Sequence, residues 1–193
     1  MKHVALFFTL LALVSSPISA ETYKIEATHS KIAFSVRQLL TTVHGEFHKF
    51  SGTIDIDREH PERSAVTATI QVVSIDTKIA KRDHHLRSAD FFDAAKFPEI
   101  IFRSRTVKRT GADSGDITGD LTMHGVSRPI TLHVKLASPI TGESLPARTR
   151  WQVTTDPIHR KDFNLLFSGS AEAISGISQD VAPAIEIEAV RAE

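Results

Sequence analysis

The sequence predicts an all-β fold: an eight-stranded antiparallel β-barrel with a short helical lid segment. Three observations carry this. Apolar and polar residues alternate with a period of two through most of the chain, in about eight strand-like runs separated by short connections. Nearly every run has one apolar and one polar face, as antiparallel strands with one wet side do. One long stretch, 75–102, interrupts the pattern. It is charged and helix-compatible from Lys78 to Arg87, then carries Phe91, Phe92 and Phe97 before a turn at Pro98. Closing the sheet removes its exposed edges, which favours a barrel over a sandwich. Such a barrel is either filled by its own side chains or holds one small ligand.

The elements follow in order. Val4–Val14 is an apolar run behind Lys2, and Ser15–Ser19 leads to the small residue Ala20. This is the layout of a secretory signal peptide, and the run is shorter than the ~18–20 apolar residues of a spanning helix. The expected organisation is therefore a signal peptide at 1–20 and one domain at 21–193, with a periplasmic or secreted location. Tyr23–Ile25 alternates briefly. Ile32, Phe34 and Val36 share one strand face, and Leu39-Leu40 closes an end. Val43–Asp57 reads as one long strand, in which Phe47 has the wrong parity for the face of Phe50, Ile54 and Ile56. A bulge or kink between Phe47 and Gly52 would repair this.

A turn at His60–Arg63 precedes the alternation of Val66, Ala68, Ile70 and Val72. Lys78–Arg87 is expected to be a helix with Ile79 and Leu86 on one face. Ile100 and Phe102 open the next strand. Ile117, Leu121 and Met123 alternate up to a turn at His124–Ser127. The cleanest strand follows, with Ile130, Leu132, Val134 and Leu136. Pro139–Pro146 is a loop, and Trp151 and Val153 mark another strand. His159–Asn164 is irregular around Phe163, and Ile185, Ile187 and Ala189 form the last strand.

Composition limits the chemistry. Lys plus Arg and Asp plus Glu number 23 each, and no basic face is evident, which argues against nucleic acid. The chain has no cysteine, so disulfides, a thiol nucleophile and lipidation at Cys are all excluded. Beyond the leader there is no transmembrane segment. Ten histidines raise the question of a metal, but His44 and His48 would lie about 13 Å apart on a strand, and neither they nor His84-His85 have a metal-binding motif around them. No G-x-S-x-G elbow occurs. Gly111, Gly115 and Gly119 lead into a strand rather than a helix, so they do not form a phosphate loop. The reading calls for no cofactor and no metal. It is compatible with a homodimer without demanding one.

What remains is an apolar cluster beside polar anchors, the make-up of a lipophilic pocket. The same stretch carries a resemblance. His29-Ser30, Gly45-Glu46-Phe47, Ile75-Asp76-Thr77, Lys81-Arg82-Asp83, His85-Leu86-Arg87-Ser88, Asp90-Phe91-Phe92-Asp93, Phe97-Pro98, Gly119-Asp120-Leu121-Thr122, His124-Gly125-Val126 and Arg160-Lys161-Asp162-Phe163 resemble the YceI-like family of periplasmic, lipocalin-like polyisoprenoid-binding proteins. The resemblance spans essentially the whole mature chain, and Arg82 to Pro98 is its most specific part. It implies an extended eight-stranded barrel holding an isoprenoid lipid, such as a quinone-like molecule or a polyprenyl phosphate, and no enzymatic reaction. Two positions depart from the family pattern: Gln38 stands where His is frequent, and Asn164 where Gly is usual. Asn tolerates left-handed backbone, so that turn is expected to survive.

Strand parity and the lid together give the expected cavity lining: Phe34, Val36, Ile70, Val72, Phe91, Phe92, Phe97, Phe102, Leu121, Leu132, Trp151 and Phe163. The expected head-group residues at the mouth are Arg37, Arg82, His85, His124 and Arg160. The alternatives are an enzyme using His85 or His124 on a lipophilic substrate, and a filled barrel without ligand.

Overall fold

A computed structural model of the chain describes residues 20–137, 147–166 and 176–192. Residues 1–19 of the expected leader at 1–20, and the expected loop at 139–146, lie outside the described residues. The strands are β1 (Glu21–Ile25), β2 (Lys31–Gln38), β3 (Thr41–Phe47), β4 (Phe50–Ile56), β5 (Ala65–Gln71), β6 (Ile75–Asp76), β7 (Glu99–Arg109), β8 (Ser114–Met123), β9 (Val126–Leu136), β10 (Arg148–Thr155), β11 (Ile158–His159) and β12 (Ile177–Arg191). The helix α1 spans Ala80–Arg87.

Several of these segments are successive parts of one strand. β12 pairs with β2 along its first part and with β1 at its end, while β1 pairs with β4 and β2 with β3. Thus β1 continues into β2, β3 into β4, and β10 into β11 along the same flank of β12. The result is a closed, antiparallel, eight-stranded barrel, with each strand beside its sequence neighbours and the last strand closing on the first. Closure leaves no free edge around the ring.

The expected long strand at 43–57 divides at the kink expected between Phe47 and Gly52: the chain leaves the ladder at His48-Lys49, which resets its parity so that Phe47 and Phe50 are both buried. Val72 is a correction. The alternation of Val66, Ala68 and Ile70 stops because a 3-10 turn, Val72–Ser74, follows β5. The Val72 amide then donates to the Pro98 carbonyl (2.9 Å), and its side chain packs in the core rather than facing the lumen. A register shift between Ser104 and Thr106 likewise switches parity in β7, bringing Val107 inward. β12 begins well before the run at Ile185. Pro183, which hid its first half, falls between the β10 pair Val153–Ile185 and the β11 pair Ile158–Val181, a break in the ladder that suits a residue without an amide donor.

The hairpin between β8 and β9 has a two-residue tip, His124 (φ 50°) and Gly125 (φ 74°), and positive φ at both positions matches the right-handed twist of the strands. Two apolar clusters fill the ends. One gathers Phe47, Val72, Ile75, Phe91, Phe92 and Phe163 beside the helical segment. The other surrounds the fully buried Tyr23 with Leu136, Val153, Ile187 and Ala189 at the opposite base. Outside that base, Glu188 takes ion pairs from Arg148 and Arg150, and Arg148 also reaches Glu26. These cations hold the Glu188 carboxyl below the usual carboxylate range.

Candidate functional site: an apolar cavity under the helical segment

A cavity of about 840 Å³ runs inside the barrel, towards the upper end of the range for pockets that enclose small ligands. Its wall is built by strand alternation. On β8, Ile117, Leu121 and Met123 point inward and are buried, while Asp116, Thr118, Asp120 and Thr122, on the other face, are more exposed. Phe34 of β2 reaches across the cavity wall to β3, because a Cβ on Gly45 would lie 2.4 Å from the tip of its ring. The absent side chain is what makes room for the ring.

The helical segment covers one end. α1 starts after Thr77, whose amide and hydroxyl both donate to Asp83 Oδ1 (2.8 and 2.5 Å). Asp83 is buried, so this pair ties the helix to the preceding loop. Arg82 Nε donates to Thr77 Oγ1 (2.7 Å) and its Nη2 to the Thr77 carbonyl (2.8 Å). After α1, the Phe92 amide donates to the Leu86 carbonyl and the Ala94 amide to the Arg87 carbonyl. That fold-back places Phe91 and Phe92 edge to face, with centroids 5.2 Å apart, and Phe92 against Phe47 at 6.4 Å.

Nine of the expected lining residues stand on the cavity wall: Phe34, Val36, Ile70, Phe91, Phe92, Phe102, Leu121, Leu132 and Trp151. Three do not. Val72 is diverted by the 3-10 turn. Phe97 meets His124 edge to face (ring centroids 4.7 Å apart) behind the lid. Phe163 is buried in a 3-10 turn, Arg160–Phe163, beside the cavity rather than on its wall.

The head-group candidates divide in the same way. Arg82 and His85 line the mouth. Arg37 points outward and is exposed; its neighbour Gln38 lines the cavity instead, since one step along a strand changes face. His124 is off the wall, with Nδ1 donating to the Phe163 carbonyl (3.2 Å). Arg160 touches the cavity but is only 3 % exposed. Its guanidinium donates to the carbonyls of Leu165 (2.8 Å), Ser178 (3.0 Å) and Ile177 (3.4 Å), so it braces the loop at the mouth. The helix expectation is corrected too: Leu86 lines the cavity, whereas Ile79 precedes the helix and is 51 % exposed.

Sequence reasoning missed the opposite end of the cavity, where Asp57, Arg58, Glu59, Arg109 and Asp113 contribute to the wall. They flank the β4–β5 and β7–β8 connections, and their charge alone read as solvated turn. It also missed two outward clusters that join His to carboxylates across strands: Glu46, His48 and Asp76, and Glu26, His29 and Glu188. A cation of the chain already sits on each. Lys78 Nζ reaches Asp76 (2.7 Å) and Glu46 (3.3 Å), and Arg148 spans the other pair. Asn164 adopts φ 57°, the left-handed conformation expected at that turn.

A closed eight-stranded barrel with a phenylalanine lid after a short helix is the arrangement that the motifs at 75–98 pointed to, and the comparison with known proteins agrees. The YceI-like domain model matches residues 23–189. The chain belongs to the YceI-like family. It is 38 % identical over 197 residues to Protein YceI of Salmonella paratyphi B, covering 99 % of each chain. Among solved structures it is similar to Burkholderia cenocepacia BcnA (TM-score 0.75, 24 % identity, 85 % of this chain and 98 % of that one). It is also similar to the Campylobacter jejuni YCEI protein (TM-score 0.61, 28 % identity, 80 % and 87 %). A polyisoprenoid binding domain from Saccharophagus degradans shares the fold (TM-score 0.64, 19 % identity, 88 % and 98 %). Among the described residues of this YceI-like chain, no helix is long and apolar enough to cross a membrane.

Proposed function

We propose that this YceI-like protein is a carrier or reservoir for an isoprenoid lipid. In this reading the mature chain, 21–193, works as one barrel domain in the periplasm after cleavage near Ala20. The observation that carries the proposal is the apolar cavity of about 840 Å³ with Arg82 and His85 at its helical mouth. A polyprenyl chain lies along the apolar wall, where each buried CH2 is worth about 0.8 kcal/mol. Its polar end stays at the mouth beside Arg82, His85 and Gln38. Binding is non-covalent, and Phe91 and Phe92 cover the chain once it is inside. Similarity to a protein described as a polyisoprenoid binding domain supports this choice of ligand class.

The test is extraction of the purified mature chain with organic solvent, followed by mass spectrometry. A stoichiometric polyprenyl species is the expected result. An empty extract, repeated after the protein has been offered isoprenoid quinones, would refute the carrier reading.

A further inference from the structure

Five large apolar side chains are conspicuously exposed among the described residues: Leu39, Leu40, Val73, Ile79 and Leu166. All lie in the connections at the helical end of the barrel, and none at the end closed by Tyr23. Leu39 and Leu40 form the tip of the β2–β3 hairpin, immediately after the cavity-lining Gln38. Leu39 is 70 % exposed and Leu40 fully so. Leu39 also has φ 51°, left-handed backbone that a bulky residue rarely adopts. A hairpin tip selected for stability alone would carry Gly, Asn or Asp. Leu39 lies over Gly176, where an added Cβ would meet its side chain, and Leu40 stands fully in water beside it, an apolar tip of the kind that marks an interaction surface.

The hairpin tip is joined to the rest of the mouth. The Leu39 amide donates to the Gly176 carbonyl (2.9 Å), and Ile177, next in the chain, lines the cavity. Arg160 then binds the carbonyls of both Ile177 and Leu165, beside the exposed Leu166. Charge at this end is mixed, with Asp90, Glu99, Asp156, Asp162 and Asp180 exposed, but the helical segment itself is cationic. Its Arg82 and Arg87 are half-buried and also donate to the Thr77 and Ile75 carbonyls. From Lys78 to Arg87 the chain has Lys78, Lys81, Arg82, His84, His85 and Arg87 against a single carboxylate, the buried Asp83. The nearby Asp76 and Glu46 are already met by Lys78 and His48. Arg37, outward on β2 beside the tip, adds another exposed cation.

Resting on the carrier reading, we propose that the helical mouth docks on an anionic bilayer surface. Leu39 and Leu40 enter the interface, and the basic α1 lies over the head groups. Apolar side chains backed by cations are what such a surface recognises. Docking in this orientation presents the lidded mouth of the cavity to the bilayer, so a lipid passes between membrane and barrel beneath Phe91 and Phe92 without crossing water.

The test is flotation of the mature protein with phosphatidylcholine vesicles and with vesicles containing phosphatidylglycerol. Binding to the anionic vesicles that weakens as salt is raised is expected. Leu40→Asp and Leu39→Gly should each lower it on the order of tenfold, while both variants keep the cooperative thermal unfolding of the parent. Leu39→Gly is the control for folding, since glycine relaxes the positive φ. No flotation of the parent with anionic vesicles, or binding indifferent to both substitutions, would overturn the proposal. A dimer in solution that Leu40→Asp disperses, with no vesicle binding, would overturn it in favour of a second copy of the chain. Flotation reads docking whether or not a lipid is extracted, so the two proposals fail separately.

Discussion

Arg160 and Glu188 show how single side chains take their roles from partners distant in sequence. Arg160 is basic and near the mouth, yet its donors are used by three backbone carbonyls. Replacing it with Met leaves those carbonyls in an enclosed site without a donor, at about 1–3 kcal/mol for a buried polar group left unsatisfied. The expected result of Arg160→Met is a lower unfolding midpoint in denaturant, accompanied by faster loss of bound lipid. Glu188 is held below the ordinary carboxylate range first by Arg150, then by Arg148, and Glu26 is held down by Arg148 and then His29. A folded-state pKa below the unfolded value contributes stability that is present above the unfolded value, about 4.3 for Glu. That contribution is lost as pH falls through the depressed folded value. Thermal melts should therefore hold steady from neutral pH to about pH 5 and decline below pH 4. Glu188→Gln should flatten that decline; an unchanged acid limb would exclude this pairing as its source.

At the scale of elements, the segment from Thr77 to Pro98 acts as a lid because its two halves are fastened differently. α1 is fixed by the Asp83–Thr77 hydrogen bonds. The following turn is fixed by Phe91 and Phe92 packing into the apolar end cluster. Asp83→Ala removes the acceptor of two buried donors, and a loss of about 1–3 kcal/mol in stability is expected. Hydrogen exchange should rise first in 77–92 if the anchor is local; uniform acceleration across the barrel would instead assign Asp83 to global folding. Phe91→Asp puts a carboxylate against the cavity, where an unpaired charge is strongly disfavoured. Its expected signature is weaker lipid retention in the extraction assay, with far-UV circular dichroism retained. Full retention of lipid would remove Phe91 from the lid.

At the scale of the molecule, the barrel keeps a cavity because its inward residues line a space rather than fill it, while an apolar cluster packs towards each end. Ile117→Trp, on the buried face of β8, adds volume in the middle of that space. It should reduce the polyprenyl content recovered by extraction at little cost to stability, since a tryptophan there occupies cavity instead of displacing packed neighbours. A large fall in stability with lipid content unchanged would mean that the middle of the barrel is already filled.

How much of this was legible in the sequence follows from the distance each property acts over. Period-two alternation is local, so the eight strands, the inward faces of Phe34, Val36, Leu121 and Leu132, and the helical interruption before Phe91 could be read directly. Alternation carries parity only while the strand is unbroken. The kink between Phe47 and Gly52 showed itself through the broken parity of Phe47 and falls at His48-Lys49; the interruption at Val72 and the shift after Ser104 depend on which strand lies alongside and were invisible. Continuity through Pro183 was hidden for the same reason: a missing amide matters only where a partner would have used it. The site divides in the same way. Apolar lining residues follow from face and were largely recovered. The polar ones follow from where donors end, and that is decided by carbonyls brought near only by closure of the barrel. The sequence alone therefore determined a closed β container with an aromatic lid. Tertiary structure decided that Arg82 and His85 remain at its mouth, that Arg160 became a brace, and that Leu39 and Leu40 face outward, because hydrogen-bond partners and exposure are properties of the assembled chain.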